Sequence, residues 1–266
     1  TETERRQIQW LMLGTLFELL ETSGNPLVFG ELAVPGATRT LLLYSHYDGQ
    51  PVDAKAWAQP DPFTPVLRTT RVDRGGTEVS WAGVKPFEPE WRLYARSASD
   101  DKAPIVALAA AVDALAAASL RPTWNLRVIL DGEEEASSPS LVPAIARYRD
   151  RLRGDARVIL DGPIHSSGRP TIAYGARGIV TLNLTVFGPR AGVHSGNYGN
   201  WVPNPAERLA ALLATMKGDD GRVLVAGFND GIQPLSPEER AMVDAVPDDS
   251  ADMLKTFGIA RPSAAF

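Results

Sequence analysis

The sequence predicts an α/β fold, a sheet containing parallel strands and flanked by helices, followed by part of a smaller α+β domain. Three observations carry that expectation. Residues 41–44 form a short continuous apolar run that ends in Ser45-His46-Tyr47-Asp48-Gly49, the texture of a strand buried on both faces. The hexapeptide Arg127-Val128-Ile129-Leu130-Asp131-Gly132 recurs identically as Arg157-Val158-Ile159-Leu160-Asp161-Gly162, giving two more such runs, each closed by Asp-Gly. After Gly178 the pattern changes to the strict alternation of residues 179–187, with Val180, Leu182, Leu184 and Val186 on one face. That alternation suits a half-exposed antiparallel strand.

The elements follow in order. Residues 3–14 predict a helix, with Ile8, Leu11 and Met12 at apolar spacing. Residues 17–22 and 26–32 predict strands around the turn signal Ser23-Gly24-Asn25. The run at 41–44 is the first buried strand, and the Pro-, Gly- and Asp-rich stretch 51–90 predicts a long excursion with short strands. Residues 104–120 are almost all Ala, Leu, Val or Ile; Pro104 suits a first helical turn and Arg121-Pro122 stops the helix. A helix apolar nearly all round is expected to be buried on more than one side. Residues 139–151 supply a helix between the two hexapeptides, which predicts a βαβ unit with a parallel strand pair. Asn204-Pro205-Ala206-Glu207 and Ser236-Pro237-Glu238-Glu239 each open a helix with a cap, a proline at the first position and an early acid. The domain boundary falls near Gly178, separating residues 1–178 from 179–266.

Composition narrows the function. The 266 residues carry net charge −5, with 44% hydrophobic and 22% charged residues, an ordinary globular balance rather than a disordered one. The mild acidity gives no electrostatic footprint for nucleic acid. No apolar run is long enough to span a bilayer, and the charged residues 1–6 do not read as a secretory leader. The absence of cysteine excludes disulfides, thiolate nucleophiles and cysteine zinc sites, and it fits a reducing cytoplasm. Any catalytic histidine is His46, His165 or His194.

Ligands of open α/β sheets bind beyond the carboxyl ends of the strands. There this sequence places His46 and Asp48; Asp131, Glu133, Glu134 and Glu135; and Asp161, with Asp100-Asp101-Lys102 introducing the apolar helix. Clustered carboxylates repel and lose hydration, and a divalent cation relieves both costs. Histidine with carboxylates suits zinc, manganese or cobalt. Asp48, two residues after His46, is placed to hold the ring's other nitrogen. Each feature alone has an ordinary structural explanation: a satisfied polar histidine, an acidic helix start at 133–135, an Asp100-Asp101 N-cap, an Asp161-Gly162 turn. Their joint placement at parallel strand ends favours a metal site.

At these residues the sequence resembles the dizinc peptidases and amidases, a family that includes carnosinase-like dipeptidases, aminoacylase, the acetylornithine and succinyl-diaminopimelate deacylases and glutamate-releasing carboxypeptidases. The matching segments, in the family's order, are Ser45-His46-Tyr47-Asp48-Gly49, Ala98-Ser99-Asp100-Asp101-Lys102, Gly132-Glu133-Glu134-Glu135, Leu160-Asp161-Gly162 and Gly192-Val193-His194-Ser195-Gly196. Tyr198-Gly199 followed by Pro203-Asn204-Pro205 is most similar to the dipeptidase branch.

The resemblance implies a catalytic domain completed by an inserted α+β lid and dimerisation domain. It implies two Zn2+, with Co2+ or Mn2+ as substitutes, bound by His46, Asp100, Glu135 and Asp161, with Asp100 bridging. It makes Asp48 the residue that orients His46 and Glu134 the general base. His194, from the second domain, would reach a partner subunit's active site in a homodimer and help bind the scissile carbonyl oxygen. The expected reaction is hydrolysis of an amide in a dipeptide or N-acyl amino acid by a metal-held hydroxide.

The sequence departs from the family pattern in three places. Ala95-Arg96-Ser97 stands where Gly-Arg-Gly is usual, and Ala103-Pro104 replaces the glycine after Lys102. The family's further histidine ligand has no counterpart after His194, and the length is short for the family. His165, four residues after Asp161, is a candidate substitute but reads as a solvated loop residue. A truncated or non-catalytic relative that acts by association is the alternative. A magnesium phosphohydrolase would leave His46 and His194 unexplained and lacks a glycine-rich phosphate loop.

Overall fold

The structure, a computed structural model, describes residues 15–82, 86–162, 164–176 and 178–262. The helix expected at 3–14 lies outside the described residues. The chain divides into two compact units, one up to residue 163 and the other from 164.

The first unit is built on a five-stranded mixed sheet. Its strands are β1 (Thr15–Leu20), β2 (Leu27–Leu32), β3 (Thr40–His46), β7 (Asn125–Asp131) and β8 (Ala156–Ile159), in the order β1-β2-β7-β3-β8. The turn at 23–25 joins β1 and β2 as an antiparallel hairpin, and β2 runs antiparallel to β7. β3 is parallel to both β7 and β8. The two identical hexapeptides are therefore parallel to each other but not paired, because β3 lies between them. Their identity encodes two similar strands and says nothing about which neighbour each takes. The 51–90 excursion supplies β4 (Val66–Arg68) and β5 (Glu78–Val79), which form a second small antiparallel sheet with β6 (Arg92–Tyr94) just after it, in the order β5-β4-β6.

Leu20, Leu27, Phe29, Leu42, Ile129, Ala144 and Leu152 form one buried apolar cluster. Alternate residues of the central strands meet there beneath the short helix α2 (Leu141–Arg147), whose Leu141 and following Tyr148 pack on the cluster. The long helix α1 (Lys102–Ala117) contacts β3. Pro104 sits in its first turn. The expected burial on several sides is not observed: Val112 is the one buried residue of α1, and Val106 is 58% exposed. Most of the apolar positions are alanines, which make a helix uniformly apolar without requiring contact on every face.

The regular elements described in the second unit are helices, α3 (Ser195–Tyr198), α4 (Pro205–Met216), α5 (Pro237–Asp244) and α6 (Ser250–Phe257), separated by long irregular stretches. Asn204 caps α4 by accepting the Ala206 N–H, and Ser236 with Glu239 closes a full capping box on α5. The strand expected at 179–187 is not formed, and a single bridge between Lys217 and Val223 is the only β pairing among the described residues of this unit. An alternating segment becomes a strand only when a second strand supplies its ladder, and no described segment pairs with 179–187. Among the described residues no helix is long and apolar enough to cross a membrane.

Candidate metal centre

The carboxyl ends of β3 and β7 meet at the pair His46 and Asp131. His46 is 1% exposed, so its ring has no water to turn towards and its orientation is set by neighbours. Nδ1 lies 3.1 Å from Asp48 Oδ1, and Nε2 lies 2.9 Å from Asp100 Oδ1. Asp161 Oδ2 at 3.9 Å and Glu134 Oε2 at 4.0 Å also face Nε2. A ring that donates through Nδ1 to Asp48 presents a lone pair on Nε2 when neutral. That lone pair and an ionised Asp100 oxygen share no proton, and a protonated ring or a cation between them reconciles the pair.

The electrostatics point the same way. Burial works against a charged His46, but Asp101, Asp161, Asp48 and Glu134 outweigh it and raise the ring above its ordinary value. Burial raises the Glu134 carboxyl, with Asp161, Glu135 and Asp48 adding and His46 partly offsetting. Asp161 is likewise pushed up by burial and by Asp101, Asp100 and Glu135, against the opposing effect of His46. These are the shifts of a negative cluster short of positive charge. One donor atom each from His46, Asp100 and Asp161 lies within 4.8 Å of the others, a group able to hold a metal ion.

The remaining acids divide by their partners. Residues 134–136 form a 3-10 turn in place of the α-helical start. The Glu135 N–H donates to Asp48 Oδ2 at 3.1 Å, so Asp48 joins His46 to the acidic turn. The Glu135 carboxylate is held by Gln50, whose side chain donates at 2.6 Å and whose backbone N–H donates at 3.2 Å; it is not part of the His46 group. Glu133 accepts the Asn25 N–H at 3.2 Å.

Two buried acids stand among those the sequence places at the strand ends, but it assigns neither of them a role. Asp131, 2% exposed, accepts from Tyr44 Oη at 3.1 Å, Ser138 Oγ at 2.6 Å and the Glu133 N–H at 3.1 Å. Burial and Asp131 push the Tyr44 hydroxyl far above its ordinary value, so it remains a donor. Asp101, also 2% exposed, accepts from Ser45 Oγ at 2.5 Å and the His46 N–H at 3.1 Å. Lys102 completes this stretch by donating to Tyr47 O at 2.7 Å. The Asp100-Asp101-Lys102 triplet thus grips the end of β3 residue by residue, which the motif's spacing does not reveal.

His194 and His165 belong to the second unit. His194 is exposed and precedes α3, with Nδ1 accepting the Gly196 N–H at 3.1 Å. His165 Nδ1 lies 2.9 Å from Ser167 Oγ, and its Nε2 is 3.9 Å from Asp249 Oδ2.

The sequence profile of Peptidase family M20/M25/M40 matches residues 42–251. The chain belongs to this family. Among curated relatives, it is 28% identical over 235 residues to the Cys-Gly metallodipeptidase dug1 of Schizosaccharomyces pombe, covering 88% of this chain and 45% of that protein. It is 32% identical over 216 residues to the human Beta-Ala-His dipeptidase, covering 80% of this chain and 38% of the relative. Among solved structures, the M20 metallo-carboxypeptidase Sso-CP2 of Sulfolobus solfataricus superposes with a TM-score of 0.69 at 27% identity, covering 99% of this chain and 55% of that one. Human carnosine dipeptidase 1 superposes with a TM-score of 0.59 at 22% identity, over 99% of this chain and 54% of that one, a likeness of fold. The chain spans about half the length of these relatives. All the motif segments quoted above lie within the matched range, and every acid that faces His46 is among them.

Proposed function

We propose that this chain serves metal-dependent hydrolysis of the amide bond of a dipeptide, with N-acyl amino acids as the neighbouring substrate class. The observation that carries the reading is the buried His46 ring, braced by Asp48 on Nδ1 and turned through Nε2 onto Asp100, Asp161 and Glu134. The names of the Cys-Gly and Beta-Ala-His dipeptidases support the substrate class.

The donors fit the metal. An imidazole and several carboxylates suit zinc, with Co2+ or Mn2+ as substitutes, and their mutual repulsion is what a cation relieves. His46, Asp100, Glu135 and Asp161 would hold two Zn2+, with Asp100 shared and Glu135 exchanging the Gln50 amide for the cation. Bound there, such ions polarise an amide carbonyl and acidify a water. Glu134 takes the proton of the attacking water and returns it to the leaving amine. Its raised proton affinity suits a group that must first accept and then give. The neutral His194 ring, accepting through Nδ1, carries its proton on Nε2, a donor for the carbonyl oxygen as charge develops there. In this reading residues 1–178 form the catalytic domain, and residues 179–266 form a lid that dimerises and offers His194 to the partner subunit. A reducing cytoplasm is the setting that a cysteine-free chain suits.

The test is hydrolysis of Cys-Gly and β-Ala-His with and without exhaustive chelation, alongside Glu134→Gln. Turnover is expected to vanish on chelation and return with Zn2+, Co2+ or Mn2+. Glu134→Gln is expected to lower kcat by about 10²–10⁴ with metal content retained. Turnover that survives chelation, or that is unchanged in Glu134→Gln, overturns the reading.

A further inference from the structure

We propose that Asp101 is a positioning residue that strengthens cation binding at the His46 centre from beneath the ligands, without ligating. The inference rests on the metal-centre reading above and assigns a role to an acid outside the ligand set.

Four observations support it. Asp101 is as buried as the core, and it is absent from the His46, Asp100 and Asp161 group whose donor atoms converge. It occupies the N-cap of α1, where an aspartate ordinarily accepts a backbone N–H of the first turn, yet its side chain makes no capping bond. Its Oδ2 turns instead to β3 and accepts both Ser45 Oγ and the His46 N–H. The residue that supplies the imidazole donor is thereby fixed through its own backbone. Finally, no ion pair among the described residues includes Asp101, and the adjacent Lys102 ammonium donates to the Tyr47 carbonyl.

A buried carboxylate without a cationic side chain is costly unless a positive charge lies close by. The N-terminus of α1 offers a partial charge. A divalent cation held by Asp100, the preceding residue, supplies the rest. Cation and Asp101 then stabilise each other, so removing the charge of Asp101 weakens the cation's binding while relieving the metal-free protein of a buried charge that has no lysine or arginine partner. A residue needed only for the fold would do the reverse.

The experiment measures Zn2+ affinity by competition with a chromophoric chelator, and the thermal midpoint of the chelated protein, for the parent, Asp101→Asn and Ser45→Ala. The asparagine oxygen can keep both hydrogen bonds and loses only the charge. Asp101→Asn is expected to weaken Zn2+ by about 10–100-fold with the chelated midpoint unchanged or higher. Ser45→Ala keeps the charge and is expected to weaken Zn2+ less. Asp101→Asn binding within about twofold of the parent, a fall in its chelated midpoint or failure to fold, or a larger loss in Ser45→Ala each overturn the inference. A parent that binds no Zn2+ and hydrolyses through chelation sinks the metal-centre reading together with this inference. A parent that binds Zn2+ and is matched by Asp101→Asn sinks the inference alone.

Discussion

Asp48 Oδ1 lies 3.1 Å from His46 Nδ1, and this contact decides which nitrogen of the buried ring faces the carboxylates. The other Asp48 oxygen accepts the Glu135 N–H at 3.1 Å. One side chain therefore sets both the histidine and the acidic turn, and it does so by accepting twice.

An asparagine at that position has one acceptor and one donor, so Asp48→Asn cannot keep both bonds. Metal affinity and kcat/KM are expected to fall by about 10–100-fold. Zn2+ titration and steady-state kinetics on the variant check this; parent-like values in both would remove Asp48 from the centre.

Asp131 is satisfied by three donors, and Ser138 makes the shortest of the contacts, at 2.6 Å. Ser138→Ala leaves a buried carboxylate short of one donor and is expected to cost about 1–3 kcal/mol. Urea unfolding of the chelated protein measures it, and a change below about 0.5 kcal/mol would mean that Tyr44 and the Glu133 N–H suffice.

The hexapeptide repeat provides an internal control for burial. Ile129 is 4% exposed and Ile159 is 61% exposed, with the same residues on either side. Ile129→Ala is expected to cost about 2–5 kcal/mol, and Ile159→Ala about 0.5 kcal/mol or less. Equal losses in denaturant unfolding would contradict the strand order β2-β7-β3-β8.

The centre also sets a pH dependence. Glu134 and Asp161 have folded values above their ordinary 4.5 and 3.8, so the metal-free folded state is progressively disfavoured as pH rises from about 4 through those raised values. His46 is raised above 6.5; its contribution is fully present below that value and is lost as pH climbs through the folded value. All three bind protons that a cation must displace. Added Zn2+ is therefore expected to raise the thermal midpoint more at pH 8 than at pH 6. A shift independent of pH would show that these groups do not form the binding site.

Much of the centre was legible in sequence because its residues end apolar runs. The 41–44 run became β3 with His46 at its end, and the acids that face the ring come from motifs visible by eye. What was not legible depends on contacts between distant segments. Asp101 contacts Ser45 and His46 across more than fifty residues, and Gln50 holds Glu135 across eighty-five; spacing within a motif carries no trace of either. The alternation at 179–187 predicts a strand, but alternation describes side chains and not the presence of a neighbouring ladder. The apolar composition of 104–120 predicts an enclosed helix, whereas alanine is as compatible with a thinly covered helix as with a buried one.

The position of β3 between two copies of one hexapeptide bears on how the sheet assembles. A folding chain holds two indistinguishable segments that fit either edge of β3, so local affinity cannot choose between them. Exchanging them would carry the α1 connection to the opposite side of β3 and reverse the hand of that crossover, which parallel sheets almost never tolerate. Chirality of the connection, together with the hairpin of β1 and β2 waiting for one of the two, therefore sorts the copies. For these six residues the chain's path, and not their side-chain chemistry, determines which copy becomes core and which becomes margin.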